Sequence, residues 1–180
     1  MLKITVPGIE GWDIKNNVFV DSDDFTLHLE HSLVSLSKWE SRWHKPFLTK
    51  EDKTIEETID YIRCMTLTQH VPEDVYTRIT DENIQMVNAY ISDPMTATTF
   101  QEEKKGRSSR EKVTSEIIYH WMISFNIPVE FQKWHLNRLM TLIRVCEIKN
   151  SPPKKMSLGE TISRHRALNK ARREKYKSQR

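Results

Sequence analysis

The chain is predicted to fold as a mainly α-helical domain that carries a small N-terminal antiparallel β unit and a basic C-terminal tail. Three observations lead to this. Apolar residues recur at helical spacing across most of 32–146, period-two alternation is confined to the first thirty residues, and Ser151-Pro-Pro-Lys-Lys155 ends all apolar patterning before a run of cations begins. The expected organisation is a β unit over 1–31 packed on the body, a helical body over 32–150 closed by a C-terminal helical hairpin, and a basic tail over 151–180 that is helical or disordered. A length of 180 residues suits one core, and 37% apolar content is lean for a globular domain but too rich for a disordered chain.

The β unit rests on three short segments. Leu2-Lys-Ile-Thr-Val6 alternates before the Pro7-Gly8 turn, Val18-Phe-Val20 follows the turn-prone Lys15-Asn-Asn17, and Phe25, Leu27 and Leu29 share one face of the next segment. From Ser32, a candidate N-cap, the period changes: Leu33, Leu36, Trp39 or Glu40, and Trp43 define a short helix that Pro46 closes. Thr54 and Glu57 have the spacing of a capping box, and Ile55, Ile59 and Ile62 mark the face of the helix they start, with Thr58 and Met65 beside it. Pro72 opens a helical turn through Val75, Tyr76 and Ile79. Thr80-Asp-Glu82 opens a longer helix with Ile84, Val87 and Ile91 on one side and Asp93-Pro94 at its end.

Residues 95–108 keep no period and read as a surface loop, the most mobile part of the body. Ser108 and Glu111 then offer a second capping box. In the helix it would start, Lys112, Glu116, His120 and Ser124 make a thin polar stripe, while Val113, Ile117, Ile118, Trp121, Met122 and Phe125 fill the remainder. After Asn126-Ile-Pro128 a partner helix follows. Its polar stripe is Glu130, Lys133, Asn137, Thr141 and Arg144, and Phe131, Trp134, Leu139, Leu142, Ile143 and Cys146 are left to pack. This hairpin is expected to be the centre of the core.

The charge is strongly asymmetric. From Lys154 onward ten Lys or Arg stand against Glu160 and Glu174, so the tail carries +8 of a chain whose net charge is +3, and residues 1–153 carry −5. Phosphate affinity comes from clustered cations, so nucleic acid can be met only through the tail: Lys154, Lys155, Arg164, Arg166, Lys170, Arg172, Arg173 and Lys175. Cys64 and Cys146 sit in apolar helical contexts and read as two buried thiols, which points to a cytoplasmic setting. The N-terminus has no basic stretch leading into an apolar run, and no apolar span reaches about 20 residues, so neither secretion nor membrane association is expected.

Catalytic patterns are missing. Four glycines leave little for phosphate-cradling loops, and no Gly-x-Ser-x-Gly, phosphate loop, dinucleotide fingerprint or Cys-x-x-Cys pair occurs. His28 and His31 lie three apart, but across a strand-to-helix junction, which is poor ligand spacing. His120 and His135 lie on the two hairpin helices and can approach, yet His135 shares a line with Phe131, Leu139 and Leu142 and reads as a hydrogen-bonded core residue. Glu56, Glu57 and Asp60 occupy the first turns of a helix, where its dipole favours negative charge. No catalytic residue, metal or cofactor is therefore assigned. Trp39 and Trp43, four apart and followed by Phe47, suit either core packing or an aromatic docking patch.

The runs Ser37-Lys-Trp-Glu-Ser-Arg-Trp-His-Lys-Pro-Phe47, Tyr61-Ile-Arg-Cys-Met65, and Ile118-Tyr-His-Trp-Met122 through Gln132-Lys-Trp-His-Leu-Asn-Arg-Leu-Met-Thr-Leu-Ile-Arg144 resemble the tail assembly chaperones of long-tailed bacteriophages, over about residues 25–156. The resemblance implies a non-enzymatic helper in the host cytoplasm that coats the helical tape-measure protein, presents it to tail-tube subunits, and can self-associate. It makes Trp39, Trp43, Phe47, Met95 and Phe100 the candidate partner contacts. It also implies a second, longer product made by ribosomal frameshifting, for which Pro153-Lys-Lys155 is the candidate slip site. Two other readings stand beside it: a nucleic-acid-associated module using the tail, and a structural virion protein such as a connector or tail-completion subunit.

Overall fold

The computed structural model describes residues 1–13, 18–49, 52–100, 112–151 and 158–177. It is mainly helical, with a small antiparallel β element at the N-terminus. Two compact units are present, Met1–Glu147 and Ile148–Arg180, and the division falls in the last turn of a helix. The N-terminal strands and the helical body thus belong to one unit.

Strand β1 (Leu2–Val6) pairs antiparallel with β4 (Phe25–Leu29), setting Leu2 opposite Leu29, Ile4 opposite Leu27, and Val6 opposite Phe25. Alternation puts Ile4, Val6, Leu27 and Leu29 on the inner face, where they are fully buried. Between them lies a second pair that the sequence only half announces, β2 (Ile9–Asp13) against β3 (Val18–Ser22). Gly8 joins the two pairs, and a Cβ there would overlap the Ser22 carbonyl oxygen. The Lys15-Asn-Asn17 turn lies outside the described residues.

Helix α1 (Leu33–Trp43) starts at a reciprocal cap in which the Ser32 hydroxyl accepts from the Ser35 N–H and the Ser35 hydroxyl accepts from the Ser32 N–H. It ends on His44 in the left-handed conformation, ahead of Pro46. Helix α2 (Ile55–Met65) starts at the expected Thr54–Glu57 box. Replacing Thr54 by alanine should cost about 1 kcal/mol in urea unfolding, the usual loss for an N-cap. The face assigned to α2 is corrected, however: Ile55 is 74% exposed, and Tyr61, Ile62, Cys64 and Met65 go inside. A pattern of three isoleucines names an apolar line, but Tyr61 and Cys64 lie nearer the side that meets α1.

Helices α3 (Glu73–Thr77) and α4 (Asp81–Ser92) follow at the expected places, α4 capped by Thr80 and ended at Asp93, but the expected face of Ile84, Val87 and Ile91 is corrected: of the three only Val87 is buried, and Asn83 and Tyr90 turn inward with it. The side of α4 that packs on β1 buries Val87 and Tyr90, and Asn83 donates from its amide to the Thr5 carbonyl. Helix α5 (Ser115–Ser124) has Thr114 at its N-cap; Ser108 and Glu111, the expected capping pair, lie outside the described residues, as does most of the expected 95–108 loop.

The predicted hairpin is modified at its second half. After Asn126, which is left-handed, and Pro128, residues Val129–Lys133 form a 3-10 turn, and α6 begins only at Leu136 (Leu136–Asn150). Phe131 and Trp134 therefore precede the helix and stack on each other at 4.0 Å. The centre of the core moves accordingly. Helix α1 is the hub, with α2, α5 and the 3-10 turn packed around it. Cys64 is buried but Cys146 only half so, and both are free thiols. The last element, α7 (Leu158–Lys177), makes the described tail helical; Lys154 and Lys155 lie outside the described residues.

Candidate functional site

The aromatic residues singled out after α1 form a core cluster. Trp39 is 1% exposed and donates its indole N–H to the Glu57 carbonyl at 2.9 Å. Phe47 is also buried, stacked on Tyr61 at 3.9 Å and edge-on to Trp39 at 5.0 Å. Trp43 is half-buried, lies over Trp39, and donates to Asp60 at 3.0 Å. As docking contacts, Trp39 and Phe47 are therefore corrected: at i and i+4 with Leu36 beside them, the tryptophans face α2, and Phe47 folds back under them. Their ring planes and indole N–H groups are already committed inside the fold.

Glu40 and Glu57 hold this cluster in place. The buried Glu40 carboxylate reaches in two directions, one oxygen accepting from the Phe47 N–H at 2.9 Å and the other from the Ser115 N–H at 2.7 Å. It thereby fastens the segment after α1 and the first turn of α5 to α1. Glu57 accepts from the Lys45 ammonium at 2.6 Å and from the Thr54 N–H at 2.9 Å. The Lys45 bond first, and the Thr54 N–H second, hold its carboxyl below the usual range.

A pair of histidines sits in the core near the start of α6. The rings of His31 and His135 are 5.1 Å apart, and both residues are buried, at 1% and 6% exposure. His31 Nδ1 meets the Tyr61 hydroxyl at 2.5 Å. His135 Nε2 lies 3.0 Å from the Tyr90 carbonyl, while its Nδ1 accepts from the Asn137 N–H at 3.3 Å, so the donor proton is on Nε2. Asn137 donates to the carbonyls of Ile91 and Asp93. His135 and Asn137 together thus satisfy the open C-terminal carbonyls of α4, a structural task. The expected approach of His120 to His135 is replaced by His31; His120 is exposed. Among the described residues no group of three or more His, Cys, Asp or Glu is placed to hold a metal ion.

An apolar groove lies elsewhere. It occupies about 580 Å³ between α5 and α6, walled on the third side by the chain from Pro94 to Phe100. Trp121 comes from α5 and Phe125 from its C-cap, Met140 and Ile143 from α6, and Phe100 from the loop. All but Ile143 are only partly buried. Phe100 lies under the Arg144 guanidinium at 4.2 Å, and Glu147 stands one turn further along α6. Of the five sequence candidates, then, Phe100 enters the groove; Met95 is exposed and left-handed in the same loop; Trp43 is half-buried; and the other two are core. The residues that sequence reasoning missed as surface, Trp121, Phe125 and Met140, carry the same helical spacing as core residues, so spacing alone does not separate them.

Fold and groove define a class: a small helical domain with a partly apolar cleft between two helices, and a separate basic helix. No family model matches the chain, and no curated protein or solved structure is found to be similar to it. No helix among the described residues is long and apolar enough to cross a membrane.

Proposed function

We propose that the chain is a non-enzymatic assembly chaperone of the kind found in long-tailed bacteriophages, working in the host cytoplasm to shield the tape-measure protein and bring tail-tube subunits to it. The observation that carries this reading is the α5–α6 groove. A long helical protein that must stay soluble before assembly needs its apolar stripe covered, and a groove between helices accepts such a stripe through side chains at i, i+3 or i+4, and i+7. The groove's volume takes a few large side chains from one stretch of helix. Met140 supplies a wall that adapts to different residues along a repetitive partner, and Arg144 and Glu147 make the rim polar.

The reading is tested with synthetic helical segments of a long-tailed bacteriophage tape-measure protein, titrated against the full chain with tryptophan fluorescence as the readout. Micromolar binding with weak salt dependence is expected. Replacing Met140 by glutamate puts a carboxylate that must be desolvated into the groove, and should weaken binding at least about tenfold, equivalent to about 1.4 kcal/mol, with the fold intact. Undiminished binding by M140E, or recovery of the protein in stoichiometric amount from purified virions, would contradict the proposal.

A further inference from the structure

Helix α7 is twenty residues long, about 30 Å at 1.5 Å per residue. Every side chain described on it is exposed, including Ile162, Leu168 and Tyr176. No two of these three stand three or four positions apart, so they form no continuous stripe by which a protein groove could hold the helix. Its cations, by contrast, lie on two opposite sides. At about 100° per residue, Arg166 and Lys170 share one side, and Arg172 and Lys175 share the opposite side.

That distribution selects the partner. A flat acidic protein face meets a helix from one side and would be served by a one-sided row of cations. Phosphates that flank a helix on both sides occur in the groove of a nucleic-acid duplex, whose repeat of about 34 Å also matches the length of α7. Arg166 and Lys170, one turn apart, repel each other along the helix, and a polyanion relieves that repulsion. We propose that α7 is a duplex-binding helix that lies in a groove of double-stranded nucleic acid, its two cationic sides taking phosphates from the two strands without reading sequence. This role is independent of the groove between α5 and α6.

The test uses the full chain and a 24-base-pair DNA duplex, with binding followed by fluorescence anisotropy between about 0.05 and 0.2 M salt. Log affinity should fall linearly with log salt at a slope of about −3 or steeper, the mark of four or so released counterions. The double substitutions Arg166→Ala with Lys170→Ala and Arg172→Ala with Lys175→Ala should each weaken binding about tenfold and each make the slope shallower by about two. M140E should bind the duplex as the unaltered chain does, which separates this result from the fate of the groove proposal. A loss confined to one of the two pairs, tighter binding to polyglutamate than to the duplex at equal salt, or tighter binding to a single strand of the same length would overturn the inference, as would no binding at 0.05 M salt.

Discussion

Acidification from pH 7 to pH 4 is expected to remove about 3 kcal/mol of folding stability through His31 alone. The ring is buried, with Nδ1 against the Tyr61 hydroxyl, and it faces the His135 ring at 5.1 Å and Phe47 at 6.5 Å. Burial first, and the neighbouring imidazole second, push its pKa from 6.5 down to about 3. Tyr61 gives no help to a charged imidazole as an anion, because burial pushes its phenol up far beyond its ordinary range. The unfolded chain accepts a proton near pH 6.5 and the folded chain refuses it until about pH 3, so the unfolded state is favoured by about 1.4 kcal/mol for each pH unit in that window. The contribution is whole above pH 6.5 and is lost as the pH falls toward 3. Its place in the fold decides what gives way: the Leu136 N–H donates to the His31 carbonyl at 2.7 Å, and Ser32 bridges to His135, so the strain falls on the seam between the starts of α1 and α6. Urea unfolding at pH 7, 5.5 and 4 should show the unaltered chain losing about 3 kcal/mol more than His31→Gln, whose own stability at pH 7 is lower. Equal losses in both proteins would show that His31 is not the group responsible.

What the sequence made legible follows from the range of the forces involved. The caps at Ser32 and Thr54, the stop at Asp93-Pro94, and the inner face of β1 and β4 are fixed by residues within a few positions of each other, and each lies where the local pattern puts it. The start of α6 was hidden because Phe131 keeps helical spacing with Leu139, although Val129–Lys133 form a 3-10 turn first. Ile55 looked inward for a similar reason: apolar periodicity reports a line along α2, and only the approach of α1 decides which side of that line is covered. The groove and the His31–His135 pair were out of reach altogether. Both are made by segments far apart in sequence, the groove by an aperiodic loop laid beside α5 and α6, and the pair by a strand end meeting the residue before a helix. The basic helix is the opposite case, since its composition was visible at once; only its continuous helical geometry shows that the cations face two opposite sides.

Glu40→Ala is expected to cost about 4 kcal/mol, and Glu40→Gln about half of that. Glu40 lies on α1 within the turn that also holds Trp39, and its two oxygens serve different parts of the chain. Phe47 and Ser115, whose N–H groups they accept, are themselves buried, so water does not readily replace a lost acceptor. An unsatisfied buried donor costs about 1–3 kcal/mol, and bonds to a carboxylate lie at the upper end of the range for single hydrogen bonds. Alanine leaves two such donors and a void. Glutamine keeps one acceptor oxygen and turns an N–H group toward the other donor, so only one bond is retained. The two losses have different addresses. Freeing Phe47 loosens its packing on Trp39 and Tyr61, whereas freeing Ser115 releases the first turn of α5, the helix that carries Trp121 into the groove. Denaturant unfolding should rank the unaltered chain above Glu40→Gln and Glu40→Ala in steps of about 2 kcal/mol. Hydrogen exchange should show the amides of α5 opening earlier than those of α2 in the glutamine variant if the Ser115 bond is the one broken, and the reverse order for the Phe47 bond. Both substitutions lying within about 0.5 kcal/mol of the unaltered chain would mean that Glu40 does not join α1 to α5, and with that the position of the groove wall would need another cause.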